Sequence, residues 1–303
     1  MSGSSTDSIR TIPDPQEPVP LVALPTLLLF VSALTMYVGS CWLVITGVMA
    51  WPFGTVINGL AGYMMFTVTH EASHHSASSN TRLNNLLGHL ALPFFAPPIG
   101  YRAFRFIHMQ HHQHTNKVDG SDPDEWTMAG GNRLSTVLRW ATLDLHYIAF
   151  YLPRFSKRPA VERAQAAVEF SLWVGVVATI VISGHFFDLL VLYLIPSRLT
   201  ITFLGLAFDY LPHRGLDATP KENKFQATRN RIGLEGVLKF ALLYQNYHLV
   251  HHLHPVVPFY RYIRVWRRSE DEYLSHDPAL STVSGRSLTV DEYRQLRELQ
   301  AHH

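Results

Sequence analysis

Apolar and polar positions divide this chain into two long blocks nearly free of charge, set within a charged remainder. From Pro18 to His70 there is no Asp, Glu, Lys or Arg. A single helix of that length would far exceed the roughly 20 residues that cross a bilayer, so the block must fold back on itself. Trp51-Pro52-Phe53-Gly54 supplies the turn. This predicts one span over about Leu24 to Met49 and a second from about Thr55 to Val68 and beyond, with Trp42 and Trp51 as interface anchors. The second block repeats the plan. Phe170 to Phe187 is uncharged, and Leu189 to Leu211 is apolar except for Arg198 and Asp209, with a turn near Gly184 to Asp188.

Between the blocks the pattern is different. Pro93, Pro97 and Pro98 argue against an uninterrupted span over the apolar residues 86–99, so a shallow interfacial or re-entrant segment is expected. Residues 116–163 mix charged and aromatic side chains and read as helices lying along the surface. The first 20 residues are Ser- and Thr-rich, then carry Pro13, Pro15, Pro18 and Pro20, the composition of a mobile polar lead-in and not of a removable signal. Near the other end, Thr289 and Glu292 form a capping box for a final amphipathic helix that docks on the rest.

The expected architecture is an all-α integral membrane protein: four transmembrane helices in two hairpins beneath a cytosolic helical cap. It divides into a flexible N-terminus (1–20), a membrane domain (21–268) and a polar C-terminal tail (269–303). Arg198 would cost at least ~2.5 kcal/mol facing lipid in mid-span, so it should snorkel or pair with a carboxylate between helices. The two turns on the far side contain no Lys or Arg. By the positive-inside rule the opposite face is cytoplasmic, which suits an inner or plasma membrane.

Composition sharpens this picture. Charged residues make up 16% of the chain, against roughly 25% in soluble domains. A net charge of +2 gives no reason to expect a nucleic-acid partner. The single cysteine, Cys41, excludes a disulfide framework, a thiolate zinc site and a cysteine-held iron–sulfur cluster. The 18 histidines are the unusual feature.

Their spacing carries the chemistry. His108, His111 and His112 stand at i, i+3 and i+4, as do His248, His251 and His252, and His70 and His74 form a looser pair. Adjacent helical residues point about 100° apart, so each double histidine can serve two ions. Eight imidazoles exceed the capacity of one ion and suit two, and His213, directly after the fourth span, is the ninth candidate. Iron, zinc, copper and nickel all accept imidazole, so the donor type leaves the metal open. A zinc hydrolase with three ligands or a bis-histidine haem carrier would leave most of these side chains unused. Glu71, Asp122, Asp124 and Asp209 are candidates to hold the free N–H of a ligating imidazole, although Asp122-Pro123-Asp124 also suits a plain turn. His75, His114 and His254 read as supporting or surface residues. His89, His146, His185, His276, His302 and His303 lack a partner at useful spacing and read as non-ligands.

The set His70-x-x-x-His74, His108-x-x-His111-His112 and His248-x-x-His251-His252 resembles the three histidine boxes of the membrane fatty acid desaturase superfamily. Phe106 to Asn116, Asp122-Pro-Asp124 and Gln245 to Pro255 are similar to the bacterial β-carotene hydroxylase branch. Tyr210-Leu-Pro-His213-Arg214 resembles a segment of carotenoid ketolases and supports His213 as the ninth ligand. The resemblance implies two irons that use O2 and two electrons to attack an unactivated C–H bond, with no catalytic residue beyond the metal ligands. It also implies a lipid substrate reached from the bilayer and a separate ferredoxin with its reductase. Met64, Met65 and Phe66 are candidates to line the substrate channel. Arg261, Arg264, Arg267 and Arg268 suit either a donor-docking face or a membrane anchor. Two departures stand out. Glu71 replaces the Asp often found after the first box histidine, and the double His74-His75 leaves open which of the two is the ligand. A carotenoid hydroxylase fits the wording of the boxes best, and an acyl-lipid desaturase is the alternative.

Overall fold

The computed structural model describes residues 11–96 and 99–301. Pro97, Pro98, His302, His303 and the first half of the expected N-terminal lead-in lie outside the described residues.

Two hairpins of long helices carry the molecule. In the first, α1 (Leu24–Ile45) opens with a proline in its first turn, where the missing N–H costs nothing, and α2 (Trp51–Ser73) begins the same way. In the second, α7 (Ala160–Ile182) is followed by the long α8 (Phe186–His213). Between the hairpins lie α3 (Thr81–Ala91), α4 (Tyr101–His114), α5 (Arg133–Ala141) and α6 (Leu143–Tyr151). Short helices follow, among them α9 (Glu235–Ala241), α10 (His248–Leu253) and α11 (Tyr262–Arg268), before the closing α12 (Val290–Ala301).

Among the described residues three helices are long and apolar enough to cross a membrane: α1, α7 and α8. The remaining expected span, the second, is α2, which has the length at 23 residues but is less apolar. Its inward face carries Thr55, Asn58, Thr67, Thr69, His70 and Glu71, all buried against protein. The third span starts earlier than the charge pattern suggested. It runs back from residue 170 to Ala160, because Glu162 is held by Arg158 (2.8 Å) and Tyr151 (2.9 Å) and does not end the helix.

The two hairpins are joined by hydrogen bonds near the starts of α2 and α8. Within α8, residues Leu190–Leu194 are wound as a π-helix, which leaves carbonyls free to accept from neighbours. Val191 accepts from the Thr55 hydroxyl (2.6 Å), and Leu192 accepts from Tyr37 (2.8 Å) and Asn58 (2.8 Å). Asn58 in turn accepts from Ser40 and donates to Cys41. Polar groups far from water are thereby satisfied inside the protein, as a hydrocarbon surrounding demands. Arg198 follows the same logic: it pairs with Asp144 on α6 (2.8 Å) and donates to the Ala141 carbonyl (2.8 Å).

The chain is not wholly helical. Asn230–Ile232, Leu280–Thr282 and Ser287–Leu288 form a small sheet, β1 to β3, with β1 parallel to β2 and β2 antiparallel to β3. This sheet ties the expected tail to the main domain. The final helix does carry the capping box, with Glu292 N–H donating to Thr289 (3.2 Å) and Thr289 N–H to Glu292 (2.9 Å). Its Tyr293 accepts from the Trp266 indole (2.9 Å) in a buried aromatic core.

The described part of the lead-in is a strap. Glu17 is clamped by Arg261 (3.1 Å), Arg264 (2.6 Å) and Arg268 (2.8 Å), while Arg268 also donates to the Pro15 carbonyl (2.8 Å). Arg267 pairs with Glu235. The arginines read as a donor-docking or anchoring face are therefore engaged within the chain.

Candidate metal centre

Four helices deliver imidazoles to one buried place. The last turns of α2 bring His70 and His74; α4 brings His108, His111 and His112; the end of α8 brings His213; and α10 brings His248, His251 and His252. The start of α4 is fixed by close packing, since a Cβ on Gly88 of α3 would lie 2.1 Å from the Tyr101 ring. Donor nitrogens of His70, His74, His108 and His251 lie within 4.8 Å of one another, as do those of His111, His213, His248 and His252. His112 lies between the groups with His251 and His252. His251 and His252 thus fall in different groups, and His111 joins one group while His112 lies between the two, as the 100° offset allows.

The spacing suits metal coordination. Nε2 atoms face one another at 2.7 Å (His74 and His108), 3.0 Å (His112 and His251) and 3.2 Å (His70 and His251). Nitrogens bound about 2.1 Å from one ion at 90–109° would lie about 3.0–3.4 Å apart. Four of the outward nitrogens have other partners, whereas His70 Nδ1 is buried with none among the described residues. His111 Nδ1 donates to Asp122 (2.9 Å) and lies 3.1 Å from Asp124; His248 Nδ1 donates to Gln245 (2.8 Å); His251 Nδ1 meets the Tyr262 hydroxyl (2.9 Å); His213 Nδ1 donates to the Ala227 carbonyl (3.3 Å). An Nδ1–H so engaged leaves the Nε2 lone pair pointing inward. His213 Nε2 is buried with no hydrogen-bond partner among the described residues, as a coordinating nitrogen would be.

Electrostatics agree with this donor set. Burial, and then the neighbouring histidines, hold His108, His112, His248, His251 and His252 well below the ordinary imidazole value. They are neutral and free to donate a lone pair. Burial also disfavours a charge on His111, but Asp124 and Asp122 outweigh it and push that imidazole up to about 9. The two carboxylates therefore stabilise positive charge beside the second group.

The four carboxylates anticipated from the sequence fall in different places. Asp122 and Asp124 meet His111 as described. Glu71 is 4.0 Å from His70 Nδ1, and its Oε2 instead accepts from the Phe259 N–H (3.1 Å). Asp209 touches no imidazole by hydrogen bond and lines a neighbouring cavity. Gln245, Tyr262 and Ala227 were not anticipated. Gln245 was readable, standing three residues before His248, whereas the other two arrive through tertiary contact.

The remaining histidines find other partners. His75 follows the end of α2 at φ 58° and joins neither group, whereas His74 does. His114 meets its own helix carbonyl at Gln110 (3.0 Å) and His254 meets Tyr273 (2.6 Å). His89 pairs with Glu169, His185 with Asp188, His146 stacks on Trp126 and His276 on Phe225.

Beneath the imidazoles, on the side of the spans, lies a narrow cavity of about 60 Å³. Phe66, Phe95, Phe104 and Phe208 line it edge to face, with Ile201 and Leu204 from α8, and His108, His111 and His248 form part of its wall. Of the expected lining residues Phe66 is present, while Met65 is packed in the core and Met64 borders a different groove.

Comparison with known proteins agrees with the histidine pattern. Residues 46–284 match the family described as fatty acid desaturase. The chain belongs to this family. As a desaturase-family protein it is an oxidoreductase. Dihydrorhizobitoxine desaturase of Bradyrhizobium elkanii is 27% identical over 250 residues, covering 74% of this chain and 69% of the relative. The β-carotene ketolase of a Paracoccus strain is 30% identical over 201 residues, 65% of this chain and 71% of the relative. A chloroplastic omega-3 fatty acid desaturase of Glycine max is 24% identical over 282 residues, 83% of this chain but 60% of the relative's length. The desaturase-family chain is thus similar both to enzymes named for desaturation and to one named for carotenoid oxidation.

Proposed function

We propose that this chain is an O2-dependent di-iron membrane oxidoreductase acting on a C–H bond of an apolar lipid, and that its substrate is a carotenoid hydroxylated on its ring. The observation that carries this reading is the convergence of the Nε2 atoms of two imidazole groups at the end of an apolar, phenylalanine-lined cavity. His70, His74, His108 and His251 would hold one iron and His111, His213, His248 and His252 the other, with His112 between them. Two irons so held would supply O2 reduction and the oxidation of an unactivated C–H bond with two electrons.

The chain's own residues do the rest. Asp122, Asp124, Gln245, Tyr262 and the Ala227 carbonyl fix the tautomer and direction of the imidazoles. The phenylalanine cage keeps water from the reacting carbon and holds an apolar segment against His108, His111 and His248. The four-span arrangement, with α2 as the second span and the imidazoles at the cytoplasmic face, fits the absence of Lys and Arg from the turns on the opposite side. Electrons would come from a separate ferredoxin and its reductase, since Cys41 lies in α1 beside Asn58 and cannot hold a cluster alone.

An acyl-lipid desaturase is the second reading, favoured by the greater coverage of the desaturase relatives. Expression in a host that makes β-carotene, followed by analysis of both pigments and fatty acids, separates the two. A new oxygenated carotenoid supports the first reading; unchanged pigments with new acyl double bonds replace it with the second.

A further inference from the structure

α7 barely packs against the bundle it belongs to. Of its 23 residues only Glu162 and Ala166 are buried, both near its start. Beyond them it stands off from α1 and α8, and an apolar groove of about 940 Å³ lies between. Trp173, Val177 and Ile180, about one turn apart, line it from α7, with Tyr37, Leu192 and Tyr193 opposite.

The cavity beneath the imidazoles has the converse shape. Its volume of about 60 Å³ is far below the roughly 300–1,000 Å³ of sites that enclose a small ligand. It can receive the reacting segment of a lipid, and the rest of the molecule must extend elsewhere.

The groove and the cavity share a wall. In the tight turn Leu92–Phe94, Leu92 lines the cavity and Pro93 lines the groove. Tyr193 continues that wall. Its hydroxyl accepts from the Trp173 indole across the groove (2.9 Å) and donates to the carbonyl of Ala96, a cavity-lining residue, at 3.4 Å. A bond of that length is weak and readily given up. Tyr193 also belongs to the π-wound stretch Leu190–Leu194 of α8, a distortion that often accompanies functional sites.

We propose that the groove between α1, α7 and α8 takes the body of the apolar lipid substrate from the bilayer, and that Tyr193 is the gate and positioning residue between groove and cavity. With its ring turned aside, the reacting segment passes Ala96 to reach His108, His111 and His248. The inference rests on the reading of the cavity as the substrate site and adds the path and the gate.

Photolabelling tests it without turnover. The purified full chain, iron-loaded in detergent, is irradiated with octadecane carrying a mid-chain diazirine, and the adducts are mapped by mass spectrometry. They should cluster on Val177, Leu192 and Tyr193. A competing lipid at about ten times its Kd should lower them about tenfold. Competition by β-carotene assigns the groove to a carotenoid and competition by oleoyl phosphatidylcholine to an acyl lipid; either supports the inference. Val177→Trp, which fills the groove from a helix that is little packed, should remove most of the labelling. Tyr193→Ala should move adducts severalfold towards Phe95 and Phe104 in the cavity, and Tyr193→Phe, which keeps the ring and loses both hydrogen bonds, part of the way. Adducts spread evenly over the spans and unaffected by either competitor overturn the inference. So do unchanged adduct positions in both Tyr193 variants, or a loss of self-association in Val177→Trp with labelling intact, which would mark the groove as a contact between copies. Iron counted in the same samples keeps this failure distinct from that of the di-iron reading: two irons with adducts in the cavity but none in the groove removes only the path and its gate.

Discussion

His111 donates its Nδ1–H to Asp122 at 2.9 Å, and Asp124, two residues further on, lies 3.1 Å from the same nitrogen. Asp122 is itself built in, accepting from the backbone N–H groups of Asn116 (2.9 Å) and Asp124 (3.0 Å). Asp122→Asn keeps an acceptor but removes one of the two charges that make His111 more basic, leaving Asp124. Iron affinity is expected to fall about 10–100-fold, the usual effect of losing such a partner, with the helical content unchanged. Iron titration monitored alongside circular dichroism checks this.

On the other group, Tyr262 meets His251 Nδ1 at 2.9 Å. Tyr262→Phe leaves the ring in place and removes only the hydroxyl. A loss of about tenfold in iron affinity is expected, again without unfolding, because the packing volume is nearly conserved. Wild-type affinity in this variant would mean that Tyr262 does not orient His251.

These partners show how far the sequence could be read. The histidines were legible because i, i+3 and i+4 spacing on a helix is a local property, and Asp122 was legible because it follows His111 by eleven residues. Tyr262 and the Ala227 carbonyl reach the site only through the packing of the last third of the chain, which no periodicity records. The three-residue β1 is too short to show alternation and pairs with a strand 50 positions away. The polar face of α2 was hidden inside an uncharged block, because Thr, Asn and Ser carry no formal charge yet lower the apolarity of a span. The acidic partner of Arg198 was foreseeable in kind but not in place, since Asp144 lies 54 residues earlier.

That pair gives a stability prediction. Arg198→Met leaves the 9% exposed Asp144 without its cation. Removing one partner of a buried pair costs about 3–5 kcal/mol, and partial exposure of the arginine lowers this to about 2 kcal/mol. The double variant Arg198→Met with Asp144→Leu should recover most of the loss. Thermal unfolding in detergent reads both; a double variant no more stable than the single one would show that the ion pair is not what the arginine contributes.

The N-terminal strap adds a pH dependence. Burial disfavours ionised Glu17, but Arg264, Arg268 and Arg261 outweigh it and hold its carboxyl below the ordinary glutamate value. A depressed acid stabilises the fold above its unfolded value of 4.5 and loses that contribution as the pH falls through the lower folded value. Residues 11–20 should therefore become sensitive to an acid-active protease as the pH drops below that range. Glu17→Gln should show the same cleavage at neutral pH with a neutral-active protease, while iron content stays unchanged.

The proposed chemistry turns on the metal. Elemental analysis of the purified full chain, with an absorption spectrum of the same sample, tests it most directly. Two irons per chain are expected, with no haem band, falling below one in His111→Ala and staying near two in His185→Ala. One zinc per chain, a haem absorption band, or equal metal content in the two variants would contradict it.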